Sequence, residues 1–134
     1  MSFLIDTDII IYSLKNHPTV MENFQVYEKT PKSLSVITFG ELIYGAHKSA
    51  HSEKNLANVR RLSEIFPLLP VSPAIMETFG LLKAHLNKIG MVVADMDLLI
   101  GSTAITHNLI LVTNNVRHFE KIPDLSIQNW AVSQ

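Results

Sequence analysis

Phe3-Leu4-Ile5-Asp6-Thr7-Asp8-Ile9-Ile10-Ile11-Tyr12 sets a short apolar run, then two aspartates, then a second apolar run. The first run has the length of a buried strand. The second, continued by Leu14, reads as a helix that stops before Asn16-His17-Pro18. A strand that ends on a carboxylate and passes straight into a helix opens an α/β unit. Asp6 then stands at the carboxyl end of a strand, where parallel α/β sheets bind their ligands.

The rest of the chain continues the alternation. A helix over 19–28 leads through the turn Thr30-Pro31-Lys32 to an alternating strand at 33–37. From Thr38 the spacing becomes helical, with Phe39, Leu42, Ile43 and Ala46 on one stripe. Leu56, Val59, Leu62 and Phe66 mark another amphipathic helix, with Arg60 and Arg61 near its polar side. A short strand follows at 68–71, and Ile75, Phe79, Leu82 and Leu86 predict a long helix ending at Gly90. Residues 98–106, nearly all apolar or small, predict a central helix. A buried strand at 109–112 and an edge strand at 125–130 complete an α/β fold with a mainly parallel sheet of four to five strands and helices on both faces.

Composition narrows the class. The 134 residues fit a single domain over 1–134, and 47% apolar with 17% charged residues excludes a disordered chain. The absence of cysteine excludes disulfides, a thiolate nucleophile and a cysteine-based zinc site, and fits a reducing compartment. A net charge of −1 creates no general attraction for nucleic acid, so contact with RNA needs a local basic patch or a metal ion. Lys15, Lys48, Lys54, Arg60, Arg61 and Arg117 are the candidate contacts. The N-terminus lacks the basic start of a signal peptide, and no run of apolar residues is long enough to span a membrane, so a cytoplasmic protein is expected.

The acids are unevenly placed. Four of the five aspartates form two Asp-x-Asp pairs, Asp6/Asp8 and Asp95/Asp97. No Lys, Arg or Glu precedes Lys15, and none occurs from Ile89 through Val116. Carboxylates in such apolar surroundings need hydrogen bonds or a cation. If the strands ending at Asp6 and Thr113 are neighbours, Asp6, Glu41, Asp97 and Asn115 meet at one rim, and oxygen ligands alone suit Mg²⁺ or Mn²⁺. Each residue also has a purely structural explanation. Thr38-x-x-Glu41 matches a capping box. Asp95 and Asp8 suit helix N-caps, Asp97 a first-turn acid, and Asn115 the cap of the turn at 116–119.

Five stretches together resemble PIN-domain ribonucleases, specifically the VapC toxins of bacterial VapBC toxin–antitoxin modules. They are 3–12; Ser35-Val-Ile-Thr-Phe-Gly-Glu-Leu-Ile-Tyr-Gly-Ala46; Ala94-Asp-Met-Asp-Leu-Leu-Ile-Gly101; Leu111-Val-Thr-Asn-Asn-Val-Arg-His-Phe119; and Ile122-Pro-Asp-Leu-Ser-Ile-Gln-Asn-Trp130. One Asp-x-Asp is a weak signal, but the ordered set is specific. The resemblance implies a three-layer PIN-like sandwich and an Mg²⁺-dependent endoribonuclease acting on tRNA, with initiator tRNA as the expected target. It implies Asp6, Glu41, Asp97 and Asn115 as catalytic residues, and Asp6, Asp97, Glu41 and the accessory Asp95 as metal ligands. His118 stands where relatives often carry an acid, which leaves a second metal position open. The implied partners are a VapB-type antitoxin, a second copy of the toxin and, through the antitoxin only, promoter DNA, with no membrane. The antitoxin's C-terminal segment is expected in an apolar groove beside 9–14, 39–46 and Leu56, Val59 and Leu62, sending a basic side chain into the acids. Two other classes fit parts of the chain: a non-catalytic PIN-like binding module, and a haloacid-dehalogenase-like phosphatase using Asp6-Thr7-Asp8.

Overall fold

In the computed structural model, which describes residues 1–133, Phe3, Leu4 and Ile5 are fully buried and form β1 (Phe3–Ile5). Asp6 turns the chain into α1 (Thr7–Leu14), and Pro18, at the first helical position, starts α2 (Pro18–Val26). β2 (Lys32–Ser35) leads directly into α3 (Val36–His47), followed by α4 (Ser52–Ile65) and the short β3 (Leu68–Leu69). Two helices, α5 (Pro73–Lys88) and α6 (Asp95–Thr106), precede β4 (Ile110–Val112). The single turn α7 (Val116–Phe119) and β5 (Ile127–Gln128) complete the series.

These strands make one parallel sheet in the order β3-β2-β1-β4-β5, with Phe3 opposite Ile110 and Ile5 opposite Val112. Successive strand residues point to opposite faces, so each face has its own core. Phe3, Ile5 and Val112 pack with Ile9, Ile10, Val20, Leu42, Leu56 and Leu62 from α1 to α4. Leu4 and Leu111 pack with Leu82, Leu86, Leu98, Ala104 and Phe119 from α5 to α7. The result is the three-layer arrangement expected of the sequence. The small residues of α6 account for its central place: a Cβ on Gly101 would stand 2.8 Å from Ile122 Cδ1. At the first face, Trp130 stacks on Tyr27 at 5.2 Å and meets Phe3 edge-on at 5.0 Å.

Several boundaries differ from the sequence reading, among them the strand expected at 68–71, which shortens to Leu68–Leu69, and the central helix expected at 98–106, which begins at Asp95. The strand expected at 33–37 ends at Ser35, because the Ser35 hydroxyl accepts from Ile37 N at 3.0 Å and caps α3. Val36 and Ile37 therefore begin a helix instead of extending the alternation. The edge strand expected at 125–130 shortens to Ile127–Gln128.

Candidate functional site

Asp6 is the first residue beyond β1 and the N-cap of α1. Its Oδ1 accepts from Thr7 N at 2.8 Å, and its Oδ2 accepts from Thr113 Oγ1 at 2.7 Å. Thr113 follows β4 as Asp6 follows β1, and the pairing of the two strands sets them side by side. The chain leaves β1 for β2 on one side and returns to β4 on the other. Asp6 thus lies at the point where the strand order reverses, the usual ligand crevice of such sheets.

Asp8 is not a helix N-cap, since Asp6 takes that place. Its Oδ1 accepts from Ile9 N at 2.8 Å and its Oδ2 from Asn114 N at 3.0 Å. Asn114 is held in turn: its amide donates to the Tyr12 hydroxyl at 3.3 Å, and its oxygen accepts from Asn129 at 3.1 Å. The first aspartate pair is therefore bound to the end of β4 at two points.

Electrostatics at this rim are unfavourable as they stand. Burial, with Asp6 only 4% exposed, and the negative charges of Asp8 and Asp97 push the Asp6 carboxyl up to about 7. The bonds from Thr113 and Thr7 oppose this without offsetting it. Asp8 is also pushed up, by burial above all, against the bonds from Asn114 and Ile9. Magnitudes explain the outcome. Taking a carboxylate out of water costs several kcal/mol and a second carboxylate ~5 Å away adds about 3 kcal/mol at an effective dielectric near 20, whereas each hydrogen bond to a charged group returns about 1.5–3 kcal/mol.

Glu41 joins the site through Thr7, whose Oγ1 donates to Glu41 Oε1 at 2.7 Å and lies 3.1 Å from Thr38 Oγ1. The capping box is excluded. With Ser35 as the cap of α3, Thr38 sits buried inside the helix and Glu41 falls in its second turn. Asp97, in the first turn of α6, acts electrostatically on Asp6 and has its Oδ2 3.2 Å from His118 Nδ1. Asn115 occupies the N-cap position of α7 but makes no side-chain capping bond; its N–H donates to Thr113 Oγ1 at 3.0 Å.

Asp95 is placed differently. Ala94, not Asp95, is the N-cap of α6, and Asp95 forms an exposed ion pair with Lys83 at 2.8 Å. This pair edges a hollow of about 280 Å³ between α5 and α6. Among the described residues, no hydrogen bond or ion pair ties Asp95 to Asp6, Asp8, Glu41 or Asp97. The sequence reading missed Thr7, Thr113 and Asn114, which hold the acids in place. Their signal was available: each is a polar residue at the end of an apolar strand run.

The donor set fits a hard divalent cation. Among the described residues, Asp6, Asp8, Glu41 and Asp97 form no ion pair with Lys or Arg, and a buried carboxylate at a crowded acidic rim lacks a positive partner. No three His, Cys, Asp or Glu side chains among the described residues form a ready-made ligand set. An ion that keeps most of its water and needs only one or two carboxylates suits such a rim.

Next to the acids, α1, α3 and α4 enclose a hollow of about 410 Å³ lined by Ile11, Leu14, Glu41, Gly45 and Val59 among others. Leu56 and Leu62, expected in an apolar groove here, belong to the core instead: both are buried in the same cluster as Leu42, where α4 packs on α3. Among the described residues, no helix is long and apolar enough to cross a membrane.

Comparison with known proteins converges on one family. The PIN domain profile matches residues 3–125. Ribonuclease VapC2 of Haemophilus influenzae is 34% identical over 130 residues, covering 97% of this chain and 98% of its own length. The tRNA(fMet)-specific endonuclease VapC of Shigella flexneri is 35% identical over 132 residues, covering 98% and 99%. Among solved structures, DNA-bound VapBC from Salmonella typhimurium contains a chain that superposes with a TM-score of 0.89 at 35% identity, covering 97% of this chain and 98% of that one. VapBC2 from Rickettsia felis, bound to a DNA fragment from their promoter, gives 0.89 at 31% identity, covering 97% and 99%. The dehalogenase-like alternative falls with these matches. With its acids gathered at the switch point of a parallel sheet and relatives above 30% identity along nearly their whole length, the chain belongs to the PIN-domain family, among the VapC ribonucleases.

Proposed function

We propose that this chain, as one PIN domain over residues 1–134, is the toxin of a type II toxin–antitoxin module and an Mg²⁺-dependent endoribonuclease that cleaves tRNA in the cytoplasm. The observation that carries the reading is the buried Asp6 carboxylate, crowded by Asp8 and Asp97 and without a basic partner. Asp6 and Asp97 would hold the cation, with Glu41 beside them. A divalent ion there supplies positive charge to the scissile phosphate and acidifies the attacking water. Thr113 and Thr7 hold the two oxygens of Asp6, so its carboxylate meets its ligand in one orientation. Thr7 fixes one oxygen of Glu41, leaving the other to accept a hydrogen bond from the attacking water. The Asn115 amide donates to a non-bridging phosphate oxygen. The water oxygen bonds to phosphorus, the bond from phosphorus to the 3′ oxygen breaks, and a proton passes to that oxygen, giving a 5′-phosphate and a 3′-hydroxyl.

The net charge of −1 leaves little general attraction for RNA, which supports recognition of an unpaired loop over a long duplex. The Shigella flexneri relative, named for tRNA(fMet), supports initiator tRNA as the target. The VapBC complexes among similar structures support a VapB-type antitoxin, with promoter DNA contacted through that partner; a toxin homodimer completes the proposed assembly. The hollow beside Glu41 suits an antitoxin segment, and a guanidinium from it would satisfy the acids as a cation does.

The test is cleavage of initiator tRNA by the purified chain. EDTA should abolish it, and Mg²⁺ or Mn²⁺ should restore it. Full cleavage in EDTA overturns the metal-dependent reading, and tight RNA binding without cleavage in any metal supports the non-catalytic module instead.

A further inference from the structure

His118 makes a contact that the proposed chemistry does not use. Its Nδ1 lies 3.2 Å from Asp97 Oδ2; the His118 side chain is 60% exposed, that of Asp97 23%. A carboxylate that ligates a cation only accepts hydrogen bonds, so with Asp97 in that role Nδ1 carries the hydrogen and donates it. The ring is well anchored for this: the next residue, Phe119, is fully buried in the core beneath α6, and α7 packs on α6. One oxygen of Asp97 is thus engaged from the side of α7, and the other remains for a ligand. An acid at position 118 would do the opposite. It would add a second oxygen donor beside Asp97 and raise the negative charge of a rim that already strains to hold Asp6, Asp8 and Asp97 together.

We infer that His118 is a positioning residue that orients Asp97 toward a single divalent cation and leaves no ligand for a second one. The inference rests on the metal-dependent reading of the acid rim. A hydrogen bond to a ligating carboxylate supports binding from outside the coordination shell, and removing such a partner typically weakens metal affinity by about 10- to 100-fold.

Mn²⁺ titrated into the full-length chain, followed by calorimetry and by the electron paramagnetic resonance signal of free Mn²⁺, reads both stoichiometry and affinity without any assay of cleavage. The wild type should bind one equivalent. His118→Ala should still bind one, at least tenfold more weakly; His118→Asn, whose amide can donate to Asp97, should recover most of that loss; and His118→Asp should bind a second equivalent. Because His118 is exposed, His118→Ala and His118→Asn should melt within about 2 °C of the wild type, within the range of neutral surface changes, while His118→Asp, which adds charge to the rim, is compared in the presence of Mn²⁺. Two equivalents in the wild type, or equal affinity in the wild type and His118→Ala, overturns the inference while leaving the metal-dependent site intact. No binding to the wild type, together with cleavage in EDTA, overturns both.

Discussion

The chain contains the same three-residue pattern twice, and the two copies have different fates. Asp6 and Asp8 follow directly on a strand end, and both are bound to the loop after β4, 107 and 106 residues away in sequence. Asp95 and Asp97 open a helix, and they separate: Asp95 reaches out to Lys83, while Asp97 turns to His118 and lies close enough to Asp6 to raise its pKa. Equal spacing therefore does not confer equal surroundings. Both pairs sit at a helix N-terminus, but the loop after β4 donates a hydrogen bond to each of Asp6 and Asp8 and keeps both in the crevice, whereas Lys83 draws Asp95 outward and leaves only Asp97 on the inner side.

The contrast fails first, and most visibly, at Asp6. Asp6→Asn should lower the cleavage rate by about a thousandfold or more, as expected for losing several kcal/mol of charge stabilisation. It should not lower Tm at pH 7.5, because a buried charge is removed while the cap acceptor remains. Within the second pair, Asp97→Asn should reduce cleavage by at least a hundredfold, and single-turnover kinetics would show whether it does. Comparable activity in Asp97→Asn and Asp95→Asn would erase the distinction.

Glu41→Gln should cost about a hundredfold in rate with an unchanged melting curve, since Ser35 and not the Thr38–Glu41 pair caps α3. Retained activity would remove Glu41 from the chemistry.

A smaller effect lies in pH. The Asp6 carboxyl is raised from its ordinary 3.8 to about 7, so the native state keeps a proton that the unfolded chain releases. In cation-free buffer this contribution is complete below about pH 4 and is lost as pH rises toward about 7. The Tm of the wild type minus that of Asp6→Asn should fall across that window by several degrees. Mg²⁺ should reduce the fall, because an ion that binds only the native site stabilises it. A flat difference would mean that Asp6 is not strained.

The smallest effect belongs to Asp95. Asp95→Asn should change cleavage by less than about threefold, and breaking its exposed pair with Lys83 should cost less than about 1 kcal/mol in a denaturation midpoint.

Much of this was legible along the chain. Unbroken apolar runs located the central strands and helical spacings the helices, and the small residues of α6 announced its burial. The capping residues were not legible in the same way. Ser33-Leu34-Ser35-Val36-Ile37 alternates as a strand would, and only the turn of the backbone at Ser35 shows that the hydroxyl is committed to Ile37 N. Thr7 and Thr113 are marked along the chain only by their place after an apolar strand run. A hydroxyl carries no charge or periodicity, and its partner depends on which distant residue the sheet brings beside it. The partner of Asp95 was hidden likewise, because Lys83 lies on the preceding helix, twelve positions earlier.

The parallel register of β1 and β4 has a consequence in time. Asp6 leaves the ribosome early in synthesis, but Thr113 and Asn114, which complete its surroundings, follow more than a hundred residues later. Contacts so distant in sequence form late in folding, after the loop between them has been closed. A half-made polypeptide therefore carries the acids without the geometry that orients them. Chemistry at this rim has to wait for the β4 segment to emerge and dock, and an inhibitor that seizes α1, α3 and α4 can arrive during that interval.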